Sequence, residues 1–236
     1  METLFNGYTL EIPSGAFALS TDSMVLADFV RVAPDARVLD LGSGCGTLGL
    51  LLCARCSGIS VLGLEIDAAS HAAALENIRR NALAGRLNSI CADLRAQDAV
   101  RAGSFDAAVS NPPYFSGGPA SRRAAMRRED ACTAQELFAA ASRALKWGGK
   151  FFLVHRPERL AAPCAAAVRE ELEPKRLRLI RHRPGAPVSL IALECRKGGK
   201  PGLRWEELSL LDARGAPSAD YRRIYHLQEE SVCPEP

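Results

Sequence analysis

The 236-residue sequence has no long hydrophobic run and no secretion signal. Its apolar stretches all fall short of the roughly 18 residues that a membrane span requires. Its start, METLFNGYTLE, lacks the basic-then-apolar layout of a signal peptide. These absences argue against a membrane protein and against an exported one, and we expect a cytoplasmic protein.

Metal-binding motifs are equally scarce. Eight cysteines are scattered through apolar segments, which is typical of reduced, core-packing thiols rather than of a disulfide framework. Cys53 and Cys56 form a C-x-x-C, but it lies in a predicted helix, and neither a second pair nor a nearby histidine completes a zinc tetrahedron. We predict no metal site.

Net charge is also small, at +3, but it is unevenly distributed. Residues 175–204 contain nine Lys or Arg and one acid, Glu194, so this segment carries +8 and the rest of the chain −5. A basic surface on a nearly neutral protein indicates a polyanionic partner such as RNA. Ordinary solvated side chains are the alternative.

The order of patterns predicts an α/β fold with a Rossmann-like, mostly parallel sheet. From Arg37 onward, apolar strand runs alternate with alanine-rich helices, and such alternation places helices on both faces of the sheet. Before it we predict strands in YTLEI and AFAL and a helix through SMVLADFV that Asp22 caps and Pro34 ends. Two further strands, KRLRLIRH and VSLIALECR, close the sheet. The predicted division is an N-terminal extension of two strands and a helix (1–34), a main α/β domain (35–197) and a C-terminal tail packed on it (198–236).

A glycine-rich loop, LDLGSGCGTLGL, joins the first parallel strand to its helix. Gly42, Gly44 and Gly46 occupy a turn where backbone approaches a ligand closely. Asp40, at the strand end, would repel a pyrophosphate but attract a cationic sulfonium ligand. The loop therefore favours S-adenosylmethionine over NAD, although a plain strand-to-helix turn would look similar.

Acidic residues also end the next two strands. Glu65 follows Gly46 by nineteen residues. At about this distance from a glycine loop, a carboxylate can accept hydrogen bonds from the two hydroxyls of a ribose. Asp67 is predicted to cap the following helix. Asp93 ends the third strand, where its carboxylate or the neighbouring backbone would read the adenine amine of the cofactor.

The segment SNPPYF follows the fourth strand. Neither proline after Asn111 has an N–H, so this turn offers acceptors only: the Asn111 side-chain oxygen and the Pro112 carbonyl. A primary amine or amide nitrogen, with two hydrogens to donate, matches that arrangement, and the acceptors stabilise the charge that develops on it. Tyr114 supplies a stacking face worth about 1–3 kcal/mol for a base, which favours an unpaired or loop nucleotide. The structural alternative is a proline-stiffened loop with a buried tyrosine.

Together VLDLGSGCG, GLEID and SNPPYF resemble the class I S-adenosylmethionine-dependent amino-methyltransferases. TDSMVLADF, MRRE, VHRPERL and RKGGKPGL further resemble segments of the bacterial tRNA1(Val) adenine-N6-methyltransferase family. The resemblance implies a seven-stranded sheet with an antiparallel last strand, and an adenosine beside a tRNA anticodon as substrate. It implies that Asp40 and the three loop glycines hold methionine, Glu65 the ribose and Asp93 the cofactor adenine. Asn111, Pro112 and Tyr114 would then hold the target base, with Asn111 also beside the cofactor and Thr21 and Asp22 closing over it.

An arginine-rich stretch follows SNPPYF, and we expect one or two of its four arginines, Arg122, Arg123, Arg127 and Arg128, to contact RNA phosphates. A solvated helix face is the alternative. Two other functions also remain open. A protein-glutamine N5-methyltransferase would use the same two acceptors, and a non-catalytic RNA-binding relative would keep the fold alone. Sequence does not decide the oligomeric state.

Overall fold

A computed structural model describes residues 2–12, 19–112 and 132–227. Its strands are β1 (Glu2–Thr3), β2 (Thr9–Leu10), β3 (Arg37–Leu41), β4 (Ser60–Glu65), β5 (Leu87–Cys91), β6 (Phe105–Ser110), β7 (Leu145–His155), β8 (Leu172–Arg181), β9 (Val188–Lys197) and β10 (Arg204–Ser209). Its helices are α1 (Thr21–Phe29), α2 (Thr47–Arg55), α3 (Ala68–Arg80), α4 (Ala134–Ala144), α5 (Ala161–Arg169) and α6 (Ala219–Tyr225).

The main sheet has eight strands in the order β10-β8-β9-β7-β6-β3-β4-β5. Strands β5, β4, β3, β6 and β7 run parallel, and β9 lies antiparallel between β7 and β8. The α/β class and the antiparallel strand are confirmed. The expected number of seven strands is wrong, because RWEELS adds β10 parallel to β8 at the sheet edge. The sequence did not predict β10, because its charged residues show no apolar alternation and the glycines before it are typical of an irregular tail.

Two hydrophobic clusters cover the two faces of this sheet. One contains buried residues of α1, α2, α3 and α6, such as Phe29, Leu51 and Ile224. The other contains residues of α4 and α5, such as Phe138 and Ala167. The helices therefore enclose the sheet from both sides, as the alternating pattern predicts.

Several local predictions need correction. Ser20, not Asp22, caps α1, because its side chain accepts from the Ser23 N–H; Ser-Thr-Asp-Ser contains four good capping residues in a row. That helix ends at Phe29, well before Pro34. Strand β2 pairs with β1, whereas most of AFAL lies outside the described residues.

The alanine-rich helix before β8 is short. It begins with a 3-10 turn, Pro157–Arg159, and continues as α5. The predicted division of the chain at residues 34 and 197 stays a prediction. In the described ranges, no helix is both long and apolar enough to cross a bilayer.

Candidate active site

The glycine loop between β3 and α2 lies against the end of β4. The N–H groups of Gly42 and Ser43 donate to the Leu64 carbonyl over 2.9 and 3.1 Å. Gly42, Gly44 and Gly46 have φ of +74°, +55° and +85°, which other residues adopt only with strain. Within the described chain, a Cβ placed on Gly42 or Gly44 would meet nothing within 4 Å. The loop therefore requires glycine for its conformation and leaves open space beside it.

Two further residues hold this loop in place. A Cβ on Gly63 of β4 would lie 2.6 Å from Ser43 Oγ, so the strand needs glycine to let the loop approach. On the other side, Asn77 of α3 is fully buried and donates from Nδ2 to the Cys45 carbonyl (3.0 Å) and the Glu11 carbonyl (2.9 Å). Sequence reasoning missed Asn77, whose only signal is a lone amide on an otherwise apolar helix face.

Asp40 lies beneath the loop with 2% of its surface exposed. Its Oδ2 has no hydrogen-bond partner among the described residues. Burial, together with the nearby Glu65 carboxylate, raises its pKa to about 7, although the Gly49 N–H opposes the shift. A buried carboxyl without a counterion beside open space is a site that a cation would stabilise.

Glu65 occupies the end of β4 and faces the same loop. Its Oε2 accepts from the Gly44 N–H and its Oε1 from the Asp67 N–H, each over 2.8 Å. These bonds fix both carboxylate oxygens, and each keeps a lone pair for a further donor. Asp67 caps α3 by accepting from the Ser70 N–H, as predicted.

Asp93 follows β5 at the same sheet edge. Its carboxylate binds the Arg95 guanidinium, with Nη2 2.6 Å from Oδ2, and accepts from the Arg95 N–H. Hydrogen bonds from that side chain lower the Asp93 pKa. The carboxylate is therefore ionised and already paired, and its assignment to the cofactor adenine stays a prediction.

Asn111 directly follows β6, whose last residue, Ser110, donates from Oγ to the Leu41 carbonyl over 2.8 Å. This bond joins the end of β6 to the beginning of the glycine loop. Asn111 is half-buried and donates from Nδ2 to Ser23 Oγ in α1 over 3.0 Å. Pro112 is half-buried beside it. Sequence reasoning missed Ser23, which looked like one more polar residue at a helix start.

The beginning of α1 lies near the end of β7. Burial raises the pKa of Asp22, and the positive charge of Arg156, directly after β7, opposes this shift. Thr21 Oγ1 accepts from the Tyr225 hydroxyl in α6 over 3.0 Å. Both predicted residues thus lie at this sheet edge, and their role in covering the cofactor stays a prediction.

Tyr114 and the four arginines predicted to contact RNA lie outside the described residues.

The basic segment 175–204 has fewer unpaired charges than its composition indicates, because several of its arginines form ion pairs. Arg176 pairs with Glu194, Arg178 with Asp28 and Glu206, and Arg181 with Glu207. These arginines stabilise the sheet edge instead of forming an uncompensated basic patch.

Seven of the eight cysteines lie in the described ranges, and all seven are free thiols. In the described part of the chain, no three His, Cys, Asp or Glu side chains come together as a metal site would require. Cys53 of the C-x-x-C is buried, which raises its pKa to about 11 and keeps the thiol protonated. Not every cysteine packs in the core, however, because Cys91 at the end of β5 is exposed.

Comparison with known proteins identifies the fold and the family. Residues 15–173 match the methyltransferase small domain family. A tRNA1(Val) (adenine(37)-N6)-methyltransferase from Bacteroides fragilis is 34% identical over 187 residues, which cover 78% of each chain. One of the same name from Dickeya chrysanthemi is 31% identical and covers 78% of this chain and 75% of its own.

Solved structures agree on the fold. A predicted O-methyltransferase, protein Atu636 from Agrobacterium tumefaciens, matches with a TM-score of 0.74 at 22% identity, covering 87% of this chain and 96% of its own. A geranyl diphosphate C-methyltransferase from Streptomyces coelicolor matches with a TM-score of 0.55 at 14% identity, covering 73% and 78%. The chain therefore belongs to the family of the tRNA1(Val) (adenine(37)-N6)-methyltransferases, and residues 15–173 carry its methyltransferase small domain.

Proposed function

We propose that this protein transfers the methyl group of S-adenosylmethionine to the N6 amine of an adenosine in a tRNA loop near the anticodon. The observation that carries the proposal is the position of Asn111. It follows β6 at the same sheet edge as the glycine loop, and Ser110 bonds directly to the strand that leads into that loop. An amine acceptor and a site for a cationic ligand therefore lie side by side.

The residues present fit S-adenosylmethionine. Asp40 Oδ2, which has no partner in the described ranges, gives a positive ligand a buried counter-charge, and the space beside Gly42 and Gly44 admits its methionine part. Glu65, held by two N–H groups, is oriented to accept from ribose hydroxyls. When bound, S-adenosylmethionine supplies an electrophilic methyl group and leaves as S-adenosylhomocysteine.

The catalytic contribution of the chain is orientation and electrostatic stabilisation. Asn111 Oδ1 and the Pro112 carbonyl accept the two hydrogens of the target amine and turn its lone pair toward the methyl carbon. They also stabilise the positive charge that develops on the nitrogen, so no strong base is needed before transfer. The nitrogen then loses one proton to solvent. Tyr114, next to this turn in sequence, is proposed to stack on the base.

The choice of a tRNA adenosine is supported by the relatives, which bear that name at 31–34% identity over most of this chain. A glutamine side chain would satisfy the same two acceptors, but no comparison favours a protein substrate. Arg122, Arg123, Arg127 and Arg128 are proposed to hold RNA phosphates. A relative that bound no cationic cofactor would not need Asp40, whose buried Oδ2 has no partner among the described residues.

An Asn111→Ala variant tests this function. We expect at least a hundredfold loss of methyl transfer to tRNA, because one of the two acceptors that stabilise the reacting nitrogen is removed. The affinity for S-adenosylmethionine, measured by calorimetry, should change little. Asn88→Ala, near the amino end of β5, is the matched control and should keep normal activity.

Incubation with labelled cofactor and either total tRNA or total protein identifies the substrate class. Label in protein alone would contradict the proposal.

A further inference from the structure

The hydrogen bond between Asn111 and Ser23 has a chemical consequence. The amide of an asparagine side chain carries a donor, the NH2 group, and an acceptor, the oxygen. Rotation about χ2 exchanges their positions. Nδ2 donates to Ser23 Oγ over 3.0 Å, so Oδ1 is the amide atom that is not turned to Ser23. Only that orientation presents an acceptor to an amine. The opposite one would place the NH2 group of Asn111 against the NH2 group of the substrate.

Ser23 is well placed to hold this orientation. It lies in the first turn of α1, and only 6% of its surface is exposed, so water competes little for its hydroxyl. Its backbone N–H already donates to Ser20 Oγ, which fixes the start of the helix. In this arrangement the Ser23 oxygen accepts from Asn111 beside the carboxyl end of β6.

The helix that carries Ser23 is itself immobilised at both ends. Near its start, Thr21 accepts from the Tyr225 hydroxyl of α6 over 3.0 Å. Near its end, the buried Asp28 pairs with Arg178 of β8 (2.8 Å), Arg55 of α2 (3.6 Å) and Arg223 of α6. Movement of α1 would break charged interactions in a buried setting, which is costly. Ser23 Oγ thus keeps its position relative to β6.

We propose that Ser23 is a positioning residue that fixes the rotation of the Asn111 amide, so that Oδ1 faces the target amine. The inference rests on the proposed function, because it assigns Asn111 as the acceptor. Ser23 itself contacts neither cofactor nor substrate in this scheme. Its effect appears in the rate of the chemical step and not in the binding of either ligand.

A Ser23→Ala variant should lower the single-turnover rate of methyl transfer about tenfold, the effect of one lost hydrogen bond of ordinary strength. KM for tRNA and the Kd for S-adenosylmethionine should stay within about twofold of the wild-type values, since Ser23 binds neither. Ser23→Thr keeps the hydroxyl and should restore most of the rate. Ser23→Cys keeps the size but provides only a weak acceptor, and its rate should fall between those of Ser23→Ala and the wild type.

Ser20→Ala is the matched control in the same helix. It removes the hydroxyl that caps α1, so it should lower the melting temperature while the single-turnover rate stays within about twofold of wild type. Equal rate losses in Ser20→Ala and Ser23→Ala would mean that both act by loosening the helix, and would overturn the proposal. A loss confined to KM in Ser23→Ala would overturn it as well.

A double-mutant cycle separates this inference from the proposed function. In an Asn111→Ala background there is no amide to orient, so adding Ser23→Ala should change the residual rate by less than about twofold. A further tenfold loss would refute positioning. If Asn111→Ala is inactive but Ser23→Ala is as fast as wild type, the inference fails and the function stands. If the wild type does not methylate RNA, the function itself fails.

Discussion

At the scale of single residues, the site is defined by buried polar atoms that have few hydrogen-bond partners. Asp40 is the sharpest case, because burial and the Glu65 carboxylate raise its pKa to about 7 and its Oδ2 has no partner in the described chain. A carboxyl in that state is destabilised when it ionises. Binding of a cation would favour the ionised form, so cofactor binding and proton release are linked.

The affinity for S-adenosylmethionine should therefore depend on pH. We expect the Kd to fall about tenfold from pH 6 to pH 8, because ionised Asp40 attracts the ligand and the protonated form does not. Calorimetry in buffers of different ionisation enthalpy should detect release of a proton near pH 7. The ligand's own amine also titrates, so Asp40→Asn is the control: it should bind more weakly and lose the part of the pH dependence due to Asp40. Identical pH profiles in the two proteins would contradict this role.

The same shift affects the ligand-free fold with the opposite sign. A carboxyl whose pKa is raised on folding binds more protons in the folded than in the unfolded state between its ordinary pKa, 3.8, and about 7. Its contribution to the free energy of unfolding therefore falls as pH rises through that window. The buried carboxyl that favours a cationic ligand therefore lowers the free energy of unfolding of the ligand-free protein as it ionises.

At the scale of elements, one buried carboxylate joins four pieces of secondary structure. Asp28 of α1 has 3% of its surface exposed and faces arginines from α2, β8 and α6. Burial alone would raise its pKa, but hydrogen bonds from Arg223 and Arg178 outweigh this and lower it. The cluster thus keeps Asp28 ionised and links the C-terminal helix to the helix that carries Ser23.

Replacing Asp28 with alanine should reduce the free energy of unfolding by about 3–5 kcal/mol, because it leaves the buried Arg178 without its aspartate partner. Denaturant titration followed by circular dichroism measures the change. Asp220→Ala is the matched control: it also removes a partner of Arg223, but from an exposed pair, and should cost less than about 1 kcal/mol. Similar losses in both variants would mean that the cluster contributes no more than a surface ion pair.

At the scale of the whole molecule, the distribution of charge differs from what composition indicates. Arg178 and Arg181 are paired with acids from outside this segment: Asp28 of α1, and Glu206 and Glu207 of β10. The segment 175–204 is therefore a weaker candidate for RNA binding than its +8 charge implies. The arginines at 122, 123, 127 and 128 remain the proposed RNA-binding residues.

Reversing Arg127 and Arg128 to Glu should weaken tRNA binding by at least tenfold at low salt. It should also make the plot of log K against log salt shallower, by roughly one for each phosphate that these two arginines bind. Filter binding or fluorescence anisotropy across a salt series measures both. Reversal of Arg101, which precedes β6, and Lys146, near the amino end of β7, changes the charge equally at the sheet edge opposite Asn111 and should have little effect. Equal weakening in both variants would indicate a general charge effect and not a specific interaction.

Sequence alone determined the features that depend on short-range order. The alternation of strands and helices, the glycine loop with Asp40, Glu65 at the end of β4 and the Asp67 cap all follow from patterns within a few residues. Backbone conformation and helix capping depend on nearby residues, so local sequence predicted the Asp67 cap, although it assigned the cap of α1 to Asp22 instead of Ser20. The placement of Asn111 beside the loop follows in turn, because parallel strands bring their carboxyl ends to one edge.

Tertiary structure decided whatever depends on partners distant in sequence. Ser23 meets Asn111 across 88 positions, Asn77 reaches Cys45 across 32, and Asp28 pairs with Arg178 across 150. Strand β10 joins the sheet through backbone pairing with β8 that its charged side chains did not indicate. These interactions require two segments to fold onto the same sheet, and no pattern within either segment specifies which side chain the other will present.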